Sequence, residues 1–220
     1  MNSTNVEKSF NRLIATHLSS LGFKYSKDSE VFARNNDDRA DSFSLIFVDH
    51  ASALKVSMCM AVSYCRFAEL LSHANKLPIH YYKYSSTVMS SITADDADSE
   101  LVLHLVRESD LEEKVALALT AFHDQALDYY SKFSSLEAVD KAVNKDPSAP
   151  CREMPNFERR AMVGAIVACL LGRSDSREII GEHREMLLTY LSGIHVRTFD
   201  RLIEILDPET GRFDLRTQME

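Results

Sequence analysis

The residues with the most chemistry to offer stand in two short segments. The run His80-Tyr81-Tyr82-Lys83-Tyr84 sets aromatic rings close together. On an extended strand His80, Tyr82 and Tyr84 share one face while Tyr81 and Lys83 take the other. Tyrosine joins a large rigid ring to a polar tip, a combination that protein interfaces favour, and edge-strand packing within a fold explains the same pattern. Asp95, Asp96 and Asp98 follow in an acidic stretch that runs to Glu100. Asp96-x-Asp98-x-Glu100 has the carboxylate spacing of a calcium loop, yet Leu101 stands where the sixth-position glycine belongs, so a solvated loop is the plainer reading. Together Tyr81, Tyr82, Tyr84, Asp95, Asp96 and Asp98 form the candidate partner-binding surface. Aromatic anchors rimmed by carboxylates suit a partner that presents lysine or arginine.

A second group, Asp37, Asp38 and Asp41 with Asp49 and His50, offers metal-capable side chains near two hairpin turns, where Asp is also favoured for backbone reasons. Asp49 and His50 support an alternative reading, a small hydrolase or transferase working through a carboxylate–histidine site. No H-E-x-x-H, G-x-S-x-G, G-x-G-x-x-G or G-x-x-x-x-G-K-[ST] motif is present. Zinc-protease chemistry, the serine-hydrolase elbow and the best-marked nucleotide folds therefore lack footing. Cys59, Cys65, Cys151 and Cys169 form no C-x-x-C pair; Cys59 and Cys169 read as reduced core thiols, and a Cys65–Cys151 disulfide is conceivable without positive support. No cofactor and no metal is expected, and the balance of motifs favours a non-enzymatic binding protein. A structural subunit is a third reading.

The charge balance points the same way. Among 220 residues, 33 are acidic and 25 basic, a formal net charge of −8. A nucleic-acid binder shows the opposite footprint, whereas an acidic surface suits a basic protein partner. No apolar run is long enough to span a bilayer and no secretory h-region opens the chain, so the expectation is a cytoplasmic protein without a membrane partner. Oligomeric state is not legible.

The elements that must position these residues read as an α+β fold: an antiparallel sheet packed by an N-terminal helix and a long helix, followed by a C-terminal helical segment. Val6, Phe10, Leu13, Ile14, Leu18 and Leu21 form one helical stripe, opened by a capping box at Thr4-x-x-Glu7 and closed by Gly22. Strands are expected at residues 30–34, 42–48 and 54–62, with Asn35-Asn36-Asp37-Asp38 as a turn; Lys55, Ser57, Cys59, Ala61 and Ser63 of the third favour a solvated face over a close second layer. A helix at 66–74 precedes weaker strands at 79–84 and 87–92 and a strong one at 101–106. A second capping box, Asp110-x-x-Glu113, opens a helix that holds register to Phe133, and Ser134-x-x-Glu137 opens a short one. Pro147 and Pro150 mark a linker, giving an α+β domain at 1–145, a linker at 146–155 and a helical segment at 156–220. All ten basic residues from Cys151 onward are arginine. They suit fork pairing with the interspersed Glu residues between adjacent helices, or record codon usage.

Leu21-Gly22-Phe23-Lys24, then Val31-Phe32-Ala33-Arg34, two alternating strands and a later helix running into Tyr129-Tyr130-Ser131-Lys132-Phe133-Ser134-Ser135-Leu136-Glu137 resemble a group of uncharacterised bacterial α+β domains. The resemblance covers roughly residues 5–145 and its motifs are structural. It implies no catalytic residues. Some domains of this kind accompany toxin systems as immunity proteins, so the resemblance implies an immunity or inhibitor function.

Overall fold

Helix α1 (Ser3–Ser19) forms because its apolar residues repeat at spacings of three and four, and Val6, Phe10, Ile14 and Leu18 are buried along that stripe. The computed structural model describes residues 3–79, 85–94, 99–190 and 196–206. The helix is already wound at Ser3, so Thr4 lies inside its first turn and not at the expected cap. Its end is as expected: Gly22 adopts φ 84°, Phe23 N–H reaches Leu18 O at 3.2 Å and Gly22 N–H reaches Ser19 O at 3.1 Å. A left-handed residue closing such a pair of bonds is the ending that glycine makes cheap.

The described residues contain a six-stranded antiparallel sheet, in the order β1 (Lys24–Ser26), β2 (Val31–Asn36), β3 (Arg39–His50), β4 (Ala53–Tyr64), β5 (Val88–Ser91), with β6 (Val102–Leu105) also paired to β4. The fold is α+β, as the sequence implied. Strand β1 was not expected, because three residues are too few to show an alternation. The β2–β3 turn uses Asp37 at φ 47°, the tolerance that Asn and Asp supply. Its register pairs Phe32 with Phe43 and Arg34 with Asp41. On β4, Lys55, Ser57 and Ala61 are half-buried and Cys59 and Ser63 buried, so the expected solvated face is not there. The strand has neighbours on both sides, and small side chains are overhung by them.

Two compact units make up the chain: Met1–Ser63 with Met89–Lys132, and Tyr64–Val88 with Phe133–Glu220. In the first, α1 and the helix beginning at Leu111 pack together. An aromatic cluster there joins Phe23 and Phe43 edge-on to Phe122, at 5.5 and 5.0 Å between ring centres. The expected second capping box is replaced by a backward one. Asp110 Oδ2 accepts from Val106 and Arg107 N–H at 3.1 and 2.9 Å, which holds its carboxyl below the usual range. Helix α3 (Leu111–Ala121) then passes through a π turn (Phe122–Ala126) into α4 (Leu127–Lys132), where an unbroken α-helix was expected. The buried residues Ala118, Phe122, Ala126 and Tyr130 recur every four positions. On turns of 3.6 residues such a line drifts about 40° per step, and one widened turn brings it back onto the core.

In the second unit, α2 (Cys65–Asn75), α5 (Leu136–Val143), α6 (Phe157–Leu170), α7 (Ser176–Tyr190) and α8 (Val196–Leu206) pack around α6. Every residue of α6 from Arg160 to Ala168 is buried, as an all-round apolar helix demands. The N-cap of α5 is Ser135, one residue later than expected, its hydroxyl accepting from Ala138 N–H. Asn156 caps α6 through Arg159 N–H at 2.9 Å. All four cysteines are free, and among the described residues no helix is long and apolar enough to cross a membrane.

Candidate functional site

Tyr81, Tyr82, Tyr84, Asp95, Asp96 and Asp98 lie outside the described residues, but the chain on either side of them is defined. In the first unit, Ile92 N–H reaches Met58 O at 2.8 Å, and beyond it Val102 to Leu105 pair with Ser57 to Leu54. Segments 88–92 and 101–105 thus run antiparallel along one edge of β4, end to end, as a single line of strand interrupted between Ile92 and Leu101. The chain leaves that line as an excursion. Thr93 bridges Glu100, Ala94 N–H reaches Ser99 O at 2.9 Å, and Leu101 N–H reaches Ile92 O at 2.9 Å. The acidic residues 95, 96 and 98 belong to the part of the chain that this root closes off.

The root is also held from the side. Gln125, at the π turn, accepts Thr93 N–H on Oε1 at 3.0 Å and donates its amide to Thr93 O at 2.8 Å, so one side chain does the work of a neighbouring strand. The Thr93 hydroxyl is 3.3 Å from the same Oε1. π turns recur at functional sites because the extra residue redirects a side chain, and here the redirected group pins the base of the excursion. In the second unit, the chain that follows Tyr84 is pinned as well. Thr87 is fully buried, its hydroxyl accepts Tyr64 N–H at 3.0 Å, and Ser86 O accepts from Arg159 at 2.8 Å.

The other candidate residues are not brought together. Asp37 and Asp38 sit at one end of β3 and Asp49 and His50 at the other, roughly 35 Å apart for a twelve-residue strand. Asp49 and His50 are both exposed and, being successive on a strand, lie on opposite faces. Asp41 is fully buried, with Arg34 at 2.8 Å and Arg39 at 3.0 Å, and takes a further bond from Asn36. The Arg34 guanidinium lies 4.8 Å above the Phe23 ring. That carboxylate neutralises two arginines beside the β2–β3 turn: Oδ2 accepts from Arg34, Arg39 and Asn36, and Oδ1 faces the Arg39 guanidinium at 3.0 Å. Among the described residues, no three His, Cys, Asp or Glu side chains converge as a metal site would need.

A second polar construction, in the second unit, was not read from the sequence. His183, 1% exposed, meets Asn144 Oδ1 at 2.8 Å, and the Asn144 amide donates to Gly164 O at 3.0 Å and to Asp140 at 2.7 Å. Asp140 in turn accepts Arg173 at 2.6 Å, and Arg173 grips Asp175 with a two-pronged fork. Arg173 thus pairs with Asp140 and Asp175, and Arg184 with Asp200, where Glu was the expectation. Burial first, and the nearby Arg160 charge second, push the His183 pKa down to about 4, so the ring is neutral at pH 7. Arg160, 2% exposed, donates to the carbonyls of Val143, Asp146 and Ala149. Gly164 was the available signal: a glycine inside a buried helix marks a close approach. Compared with protein-family models, curated proteins and solved structures, the chain matches none.

Proposed function

We propose that this chain is a non-enzymatic protein-binding module of the immunity or inhibitor type, taking a basic protein partner through its acidic excursion and its tyrosine-bearing segment. The observation that supports this reading is the interrupted strand along β4. A sheet edge is broken by the eight-residue gap 93–100, whose root is closed by three backbone contacts and pinned by Gln125. The excursion carries Asp95, Asp96 and Asp98 in its sequence, on a chain of net charge −8. Acidic rims speed encounter with a basic partner, and aromatic anchors slow its departure.

The test is association of the full chain with the product of a neighbouring gene that encodes a basic protein, followed by surface plasmon resonance at low and moderate salt. Replacing Asp95, Asp96 and Asp98 together by lysine should cut the association rate about tenfold or more at low salt and flatten its salt dependence. Tyr82→Ala should act on dissociation instead. Unchanged affinity of the charge-reversed chain at both salt concentrations refutes the reading.

A further inference from the structure

We infer that a groove in the second unit, separate from the acidic excursion, is a binding site for an arginine side chain of a partner protein. One wall is α7, which presents Glu182, Glu185 and Met186. At spacings of three and four these share one face of the helix. The other wall is the segment Lys145-Asp146-Pro147-Ser148. The space between them is about 520 Å³. Ligand sites span about 300–1,000 Å³, so the groove takes a long side chain with its flanking backbone, well beyond what a bare ion needs.

The charges select the occupant. Three carboxylates, those of Glu182, Glu185 and Asp146, face a single ammonium, that of Lys145. Among the described residues Glu182 and Glu185 make no hydrogen bond or ion pair. Asp146 uses Oδ1 alone, for the Ser148 N–H and hydroxyl and the Ala149 N–H, and those bonds from Ser148 hold its carboxyl below the usual range. Two other arginines of this unit are engaged: Arg160 donates to the Val143 and Asp146 carbonyls, and Arg184 is forked onto Asp200. Pro147 and Met186 add apolar surface on which the stem of a long cation can lie. A planar fork that spans two carboxylates while its stem packs on apolar atoms describes arginine better than lysine.

Both walls are fixed before any partner arrives. Asn144, next to Lys145, is bonded to His183, next to Glu182, so the loop and α7 are tied at one point behind the groove. Arg160 ties the loop a second time through Asp146 O. A preformed site spends less of its binding energy on ordering itself.

The experiment titrates the ¹⁵N-labelled full chain with Nα-acetyl-L-arginine amide, with Nα-acetyl-L-lysine amide and spermidine run in parallel. We expect saturable shifts centred on Asp146, Ser148, Glu182 and Glu185, with a dissociation constant of roughly a millimolar. Glu182→Gln and Glu185→Gln alter exposed side chains and should leave the unfolding temperature unchanged, while each weakens binding roughly two- to five-fold. Added salt should weaken it further. Shifts that do not saturate, shifts unaffected by the Gln variants, or binding of the lysine amide or spermidine as tight as that of the arginine amide would each overturn the assignment.

Discussion

Replacing Gly164 by alanine puts the buried His183–Asn144 construction to its most direct test. In an ordinary helix interior this change stabilises by about 1 kcal/mol, because glycine loses more backbone entropy on folding. Here an added Cβ would lie 2.2 Å from His183 Nε2 and 2.4 Å from Asn144 Oδ1, distances at which something must move. Those two atoms are ends of side chains, yet neither can swing away cheaply. Each is the other's hydrogen-bond partner, and His183 is 1% exposed. Parting them strands two buried polar groups at about 1–3 kcal/mol apiece, which against the helix gain leaves a net loss of about 3 kcal/mol. For a chain of this length that lowers the unfolding temperature by roughly 6–12 °C. Gly181 supplies the internal control, being helical in α7 with nothing within 4 Å of an added Cβ, so Gly181→Ala should raise the temperature by a few degrees. With no tryptophan in the chain, far-ultraviolet circular dichroism is the natural probe. If Gly164→Ala stabilises as much as Gly181→Ala, the close approach at Gly164 does not govern stability and the reasoning fails.

Three further expectations follow from named contacts. His183 titrates at about 4 in the fold against an ordinary 6.5, so the unfolded chain binds more protons between those values. Its contribution is therefore whole above pH 6.5 and is lost as pH falls to 4, a change of about 3 kcal/mol; urea midpoints measured at pH 7, 5.5 and 4 should show a slope that His183→Gln flattens, and an equal slope in the variant counts against it. Gln125→Ala removes the bonds to Thr93 and should cost about 2 kcal/mol, with faster amide exchange concentrated at Thr93, Ala94 and Leu101; uniform exchange changes would show that Gln125 does not pin the excursion. Arg160→Met strands the carbonyls of Val143, Asp146 and Ala149 and should open the 146–155 segment to limited proteolysis. Equal cutting there in the unaltered chain would instead mark the flexible linker that Pro147 and Pro150 suggest.

Much of the fold was legible because its signals are local. The stripe of α1 and its glycine ending, the alternation of β3 and β4 and the turn at Asp37 all depend on residues within a few positions of one another. Cap positions were less secure, since Thr4, Asp110 and Ser134 each offered an oxygen at a plausible spacing. Which oxygen meets which N–H depends on where the helix is anchored. Asp110 turned backward to Val106 and Arg107 although its spacing to Glu113 pointed forward.

Composition and pattern alone determined the α+β class and the acidic character. Tertiary structure decided the rest, because the deciding contacts join positions far apart in the chain. Gln125 meets Thr93 across 32 residues, and His183 meets Asn144 across 39. Nothing near Thr93 or Asn144 announces those partners. Only the packing of α3 through its π turn, and of α6 against α5 and α7, brings the groups within hydrogen-bond reach, since side-chain bonds act over about 3 Å and sequence separation carries no information at that scale.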